Sequence, residues 1–272
     1  VIKMIALDLD NTLLTSEKTI SKTNEAVLRD LHSKGIKVVL CTGRPINAIW
    51  HLIEQLDLLQ DEDFTITFNG ALVVHNRDKA ELAKSGVDKA HWQILHDFAQ
   101  EIGAPLDILD FEQVYSVTDL KHSLYEEQFH GQLKFDHMPF ADLDDQKLYS
   151  KAVICDRPEL LDEYETKFTP ELKQNYHIVR SQPHIMEFLA PDMDKVVGLG
   201  KLLEHFGWNF SNLMTFGDAS NDLGMIEHAK VGVAMANASD EVKNVSDAIT
   251  LSNDDDGVAA FLKRKDTQEL FK

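Results

Sequence analysis

The chain has 272 residues, 43% of them hydrophobic, and its 27 Lys and Arg against 46 Asp and Glu leave a formal net charge of −19. That is enough apolar chain for one large or two modest packed domains, which excludes wholesale disorder. So negative a chain is repelled by a phosphate backbone and by an anionic membrane surface, so neither nucleic acid nor lipid is expected as a partner. No apolar run approaches the ~20 residues of a membrane span, and Asp8 and Asp10 cut the apolar start where a signal-peptide core would be continuous. Two cysteines, Cys41 and Cys155, build neither a disulfide framework nor a four-cysteine zinc site, and two free thiols suit a reducing cytoplasm.

Three short β-rich runs open the chain: Lys3-Met-Ile-Ala-Leu-Asp8, Ile36-Lys-Val-Val-Leu-Cys41 and Phe64-Thr-Ile-Thr-Phe-Asn69. They read as buried strands of a parallel sheet. Between them Ser21 can cap a helix carrying Val27, Leu28 and Leu31 and ended by Gly35. Pro45 suits the first turn of a second helix, with Ile46, Ile49, Ile53 and Leu56 at helical spacing. From 82 to 190 the pattern changes to a long helix stopped by Gly103, strands such as Val114-Tyr-Ser-Val117 and Lys151-Ala-Val-Ile-Cys155, a helix after Pro158, and two strand-like runs about Gln182-Pro183. The first grammar then returns. Asp194 can cap a helix through Leu199, Leu202 and Leu203, and Leu213-Met-Thr-Phe216 reads as a strand ending in Gly217-Asp218. A helix over 221–228, a strand Val231-Gly-Val-Ala-Met235, a helix capped by Ser239, a strand Ala248-Ile-Thr-Leu251 and a helix from about Gly257 follow. The expected architecture is an α/β fold: a Rossmann-like parallel-sheet core of 1–81 and 191–272 with an inserted α+β domain at 82–190.

Ligands of open α/β sheets bind beyond the carboxyl ends of the strands. Those ends carry Asp8-Leu9-Asp10-Asn11-Thr12, Cys41-Thr42-Gly43-Arg44 and Gly217-Asp218-Ala219-Ser220-Asn221-Asp222, and Lys195 opens a nearby helix. If the tips converge, Asp8, Asp10, Asp218 and Asp222 share one site. Like charges so close need a cation, and all-oxygen donors suit magnesium. Lys195 and the backbone amides of Leu9 and Gly43 would add positive potential, which together makes a phosphoryl-transfer site. Asp8 and Asp10, two residues apart, would point to one face, one to attack phosphorus and the other to exchange a proton. Each piece alone has a bland reading: a solvated turn for Asp-x-Asp, a strand-to-helix turn for Thr42-Gly43, an exposed first-turn lysine, a helix cap for Asn221-Asp222. An EF-hand is excluded by Thr12 and Leu13.

Together, Asp8-Leu-Asp-Asn-Thr-Leu-Leu14, Thr42-Gly-Arg44, Lys195 and Gly217-Asp-Ala-Ser-Asn-Asp222 resemble the four motifs of the haloacid dehalogenase superfamily, in particular its Cof-type phosphatases. Asn69-Gly-Ala71, Val233-Ala-Met-Ala-Asn-Ala238 and Asp256-Gly-Val258 are similar too. The resemblance implies that Asp8 is the nucleophile and a magnesium ligand, and that Asp10 is the general acid and base, binding the metal through its backbone carbonyl. It implies that Asp218 is the third metal ligand. Leu9, Thr42, Gly43, Lys195 and Asn221 would bind the phosphate, with Asp222 behind them and 82–190 as a large cap. Asn11 and Val196 stand where the family usually has glycine. The implied protein is a magnesium-dependent cytoplasmic phosphatase of small phosphorylated metabolites, a monomer or weak homo-oligomer. Sugar phosphates come first, with pyridoxal phosphate, a flavin-precursor phosphate, or a phosphotransferase or mutase reaction as alternatives, and a non-catalytic phosphate sensor as the remote one. Glu187, Tyr115, His122 and Arg180 are polar candidates for substrate contact in the insert.

Overall fold

The computed structural model describes residues 1–128, 133–190 and 193–272. The described chain divides into two units, Val1–Lys84 with Asp194–Lys272, and Ser85–Met193. The expected return from insert to core, between 190 and 191, falls beside residues outside those described.

The first unit begins β1 (Met4–Leu7), α1 (Lys22–Ser33), β2 (Lys37–Cys41), α2 (Ile46–Gln55), β3 (Phe64–Thr67), β4 (Leu72–His75) and β5 (Glu81–Lys84). The insert follows with α3 (Lys89–Ile102), β6 (Asp107–Leu109), β7 (Gln113–Val117), β8 (Lys134–Met138), β9 (Lys151–Cys155), α4 (Pro158–Glu165), α5 (Pro170–Asn175), β10 (His177–Gln182) and β11 (Ile185–Leu189). The first unit resumes with α6 (Lys195–His205), β12 (Leu213–Gly217), α7 (Leu223–His228), β13 (Val231–Ala234), α8 (Asp240–Val245), β14 (Ala248–Ile249), α9 (Gly257–Leu262) and α10 (Lys265–Glu269).

The eight-stranded sheet of the first unit runs β14-β13-β12-β1-β2-β3-β4-β5. It is parallel from β14 to β3, and β4 and β5 extend it antiparallel. The parallel core is as expected, and β4 and β5 are added at its edge beyond the strands read from the sequence. The turn after β3 reverses the chain at once, which leaves no room for a crossover helix. Leu82 and Ala83 pack on this core because β5 belongs to its sheet, so the core runs to Lys84 rather than ending at 81. All of β1 is buried, so helices must cover both faces. Leu28 and Leu31 of α1, Ile49 and Ile53 of α2, Leu199 and Leu202 of α6, Ile226 of α7 and Phe261 of α9 do so.

The expected caps are in place. Ser21 accepts from the Asn24 amide, Asp194 from Val196 and Ser239 from Val242. Val196 is an ordinary helical residue of α6, so a side chain there costs nothing. Asn11 takes a left-handed φ of 62°, a conformation that Asn tolerates better than most residues.

The insert holds a six-stranded sheet, β10-β11-β9-β6-β7-β8, antiparallel except for β7 and β8. Trp92, Leu95 and Phe98 of α3, Leu161 of α4 and Leu172 of α5 bury one face with Ile108, Ile154 and Phe188. Leu109, Val114, Val153, Cys155 and Ile185 cluster with Tyr125 on the alternate positions of the same strands. Among the described residues no helix is long and apolar enough to cross a membrane.

Candidate active site

Parallel register brings the strand tips together. Leu7, the last residue of β1, pairs with Leu40 of β2 and Phe216 of β12, so Asp8, Thr42 and Asp218 emerge side by side. Asp8, Asp218 and Asp222 are buried, and an oxygen from each lies within 4.8 Å of the others. Lys195, at the start of α6 and fully buried, donates to Asp8 Oδ1 at 2.5 Å and to Asp222 Oδ1 at 2.7 Å. Asp222 Oδ2 accepts the amides of Asp218 and Ala219, so both its oxygens are spent on holding Lys195 and the loop. Gly217 makes room for it, since a Cβ there would lie 2.5 Å from the Asp222 Cβ. Thr12 Oγ1 donates to Asp218 Oδ1 at 2.9 Å.

Thr42 is buried, and its Oγ1 accepts the Arg44 amide at 3.1 Å, which leaves the hydroxyl proton to donate. Asn221 Nδ2 donates to Asn69 Oδ1 at 3.2 Å. The Asn69 amide donates to the Thr42 carbonyl at 3.0 Å.

Asp10 is the expected site carboxylate that does not join the cluster. Its oxygens are gripped by Arg44, with Nε at 2.9 Å and Nη2 at 2.5 Å, and by Lys18 Nζ at 2.9 Å. Lys18 reaches it from the turn closed by Thr15 and Thr19, and Ser16 in that turn is bonded to Asp254 through both its amide and hydroxyl. The four-carboxylate convergence expected from spacing is therefore one of three side chains, because two strong cations compete for the fourth.

A family model described as haloacid dehalogenase-like hydrolase matches residues 5–262. The chain belongs to the haloacid dehalogenase-like hydrolases. It is 31% identical over 258 residues to a putative phosphatase, YxeH, of Bacillus subtilis, covering 94% of this chain and 96% of that protein. It is 32% identical over 270 residues to the 5-amino-6-(5-phospho-D-ribitylamino)uracil phosphatase YcsE of the same organism, covering 96% and 95%. A crystal structure of a haloacid dehalogenase-like hydrolase from Bacteroides thetaiotaomicron superposes with a TM-score of 0.79 at 29% identity, over 97% of this chain and 99% of that one. The protein is accordingly an enzyme, a phosphatase of the Cof type, acting on phosphorylated small molecules.

The electrostatics suit such a hydrolase. Burial, with repulsion from Asp222, pushes the Asp8 carboxyl up to about 8 despite Lys195. Burial and Asp222 likewise raise Asp218 to about 6, with Thr12 pulling the other way. Burial also opposes the charge on Lys195, but Asp222 and Asp8 outweigh it and hold the ammonium well above its usual range. Burial works to raise Asp10, yet Lys18 and Arg44 prevail and keep its carboxyl below the ordinary value. Buried carboxylates that cannot comfortably ionise together, with only hard oxygen donors, are what a divalent cation relieves, so the donor set fits magnesium. Cys41, beside them, has its thiol driven up by burial, which disfavours the thiolate.

Four further residues, Thr12, Lys18, Arg44 and Asn69, make contacts at the site to which the sequence alone assigns no role. Thr12, Arg44 and Asn69 lie within the motifs after β1, β2 and β3, and that neighbourhood is the signal in the sequence. Lys18 had none, because its reach depends on a left-handed turn at φ 62°. In the insert, the polar candidates have other partners. Tyr115 is held by Asp110 and Lys147, Arg180 by Asp162 and Glu165, and Glu187 by Lys151 at 3.1 Å, while His122 is exposed.

Proposed function

We propose that the enzyme is a magnesium-dependent hydrolase of primary phosphate monoesters on polyhydroxylated carbon chains, working through a phosphoryl group carried on Asp8. The observation that supports it most is the Asp8 carboxylate, buried at the tip of the central strand and bonded at 2.5 Å to an equally buried Lys195. Asp8 and Asp218 would hold the cation through their carboxylates and Asp10 through its backbone carbonyl. When bound, the cation supplies charge neutralisation for the phosphoryl oxygens and for the carboxylates themselves.

An Asp8 oxygen attacks phosphorus in line, and the bond to the leaving oxygen breaks. The leaving alkoxide takes its proton from Asp10, which must hold one at the start of the cycle and can do so only when Arg44 and Lys18 have released its carboxylate. Water then attacks the phosphoryl group, gives a proton back to Asp10, and frees Asp8 and inorganic phosphate. Lys195, the Thr42 hydroxyl, the amides of Leu9 and Gly43, and Asn221 steady the phosphoryl oxygens. Arg44 and Lys18 are the nearest cations that an incoming phosphate could draw off Asp10, and that exchange would free the carboxyl for its proton transfers.

Sugar phosphates are the first substrate class, as the motifs imply. A ribitylamino-uracil phosphate is the second reading, favoured by the relative of that specificity at 32% identity. Both present a primary phosphate on a chain of hydroxyls. A phosphate-release screen over hexose and pentose phosphates, pyridoxal phosphate and the ribitylamino-uracil phosphate, with and without magnesium, tests the reading. Release that requires magnesium and favours one polyol phosphate supports it. No release from any compound overturns it.

A further inference from the structure

Between β3 and β4 the chain takes three left-handed residues in succession, Phe68 at φ 51°, Asn69 at φ 54° and Gly70 at φ 98°. Bulky residues avoid this region, so a run of three is strain that must be held by its surroundings, and such strain concentrates at functional sites. What holds it is the site itself. The Asn69 amide is fixed by the Thr42 carbonyl at 3.0 Å, and its Oδ1 is fixed by Asn221 Nδ2 at 3.2 Å. Its carboxamide lies close to Gly43, where a Cβ would come within 2.9 Å of Asn69 Nδ2. Asn69 thus touches three of the residues expected to receive the phosphate, Thr42 through its backbone amide and Gly43 and Asn221 through its carboxamide.

Asn69 is 6% exposed. Its Oδ1 is spent on Asn221, and its Nδ2 has no partner among the described residues. Nδ2 keeps some exposed surface, so a ligand oxygen or water can take its protons. A donor-only group in that place suits an anionic oxygen and not a cation. Glycine would relax the left-handed turn more cheaply, so the carboxamide there has a use beyond the backbone.

We infer that Asn69 is a substrate-binding residue whose Nδ2 donates to an oxygen of the bound phosphate monoester, while its Oδ1 sets Asn221 beside it. This rests on the phosphatase reading above. Asn69→Gly keeps the turn and deletes the carboxamide. Asn69→Asp keeps the shape and replaces the donor with a repelling oxygen. With p-nitrophenyl phosphate and magnesium, the wild type gives a KM and an inhibition constant for inorganic phosphate. Both constants should rise about tenfold in Asn69→Gly and further in Asn69→Asp. Thermal melting, read alongside, checks that each variant is folded. A purely architectural Asn69 would lower the melting temperature and leave the phosphate inhibition constant where it was, and that result in either folded variant overturns the inference. A wild type that neither hydrolyses the ester nor is inhibited by phosphate overturns the phosphatase reading, and the role of Asn69 falls with it.

Discussion

At the scale of single residues the site is a contest for a few charges. Lys195 is shared by Asp8 and Asp222, and Asp10 is shared by Arg44 and Lys18. Asp10→Asn should therefore lower kcat/KM for alkyl phosphates by about 100- to 10,000-fold, since their leaving group needs a proton, and much less for p-nitrophenyl phosphate, whose leaving group does not. Comparing the two substrates checks this, and equal losses would remove Asp10 from leaving-group protonation. Asp8, Asp218 and Lys195 could be placed from spacing because each sits at a strand or helix end, where order along the chain predicts position, whereas Thr42 and Asn221 gained a role only through the family resemblance. The partners of Asp10 could not. A lysine eight residues away and an arginine from another strand meet it only through a loop folded back on itself. The role of Asn69 was hidden for a related reason, since nothing in Asn69-Gly-Ala71 shows that three left-handed residues in a row put its carboxamide on Gly43.

At the scale of elements, parallel pairing of β12, β1 and β2 does most of the work. It puts three loops at one edge without any of them contacting the others in sequence. Helix caps and buried strands were legible because both are local signals, and Ser21, Asp194 and Ser239 act as their positions suggest. The antiparallel extension through β4 and β5 was not, because short apolar runs do not encode strand direction. Gly217 shows how tightly the end of β12 is drawn. A methyl at this position would meet Asp222 at 2.5 Å, push it off Lys195 and loosen the amides that Asp222 binds. Gly217→Ala should cut kcat by at least tenfold, with a fall in stability of about 1–3 kcal/mol. Steady-state kinetics and urea unfolding check the pair of effects.

At the scale of the whole molecule the charge of −19 sets two expectations. The few site carboxylates cannot account for such an excess, so most of the acid is a solvated coat, and anionic substrates must be received by local positive potential. The site also ties stability to pH. Asp8 at about 8 and Asp218 at about 6 both lie above the ordinary carboxyl value of 3.8. The folded, metal-free site thus binds more protons than the unfolded chain, and its contribution to stability is lost as pH rises from about 4 to 8. Magnesium should reverse the loss by displacing those protons. The gain in melting temperature on adding magnesium should be larger at about pH 8 than at about pH 5.5, and Asp218→Asn should shrink the difference. In the insert, burial raises the Asp107 carboxyl to about 6 although Ser116 and Ser123 donate to it. Asp107→Asn should remove roughly 2–3 kcal/mol of stability loss between about pH 4 and pH 7, read as a flatter pH profile of unfolding.

The central claim is that Asp8 carries the phosphoryl group. Rapid acid quench of the enzyme during turnover of p-nitrophenyl phosphate with magnesium, followed by peptide mass spectrometry, tests it directly. The account predicts a phosphoryl adduct on the peptide containing Asp8, absent in Asp8→Asn, which should also release no phosphate. An adduct on another residue, or an Asp8→Asn enzyme that turns over as fast as the wild type, would contradict it.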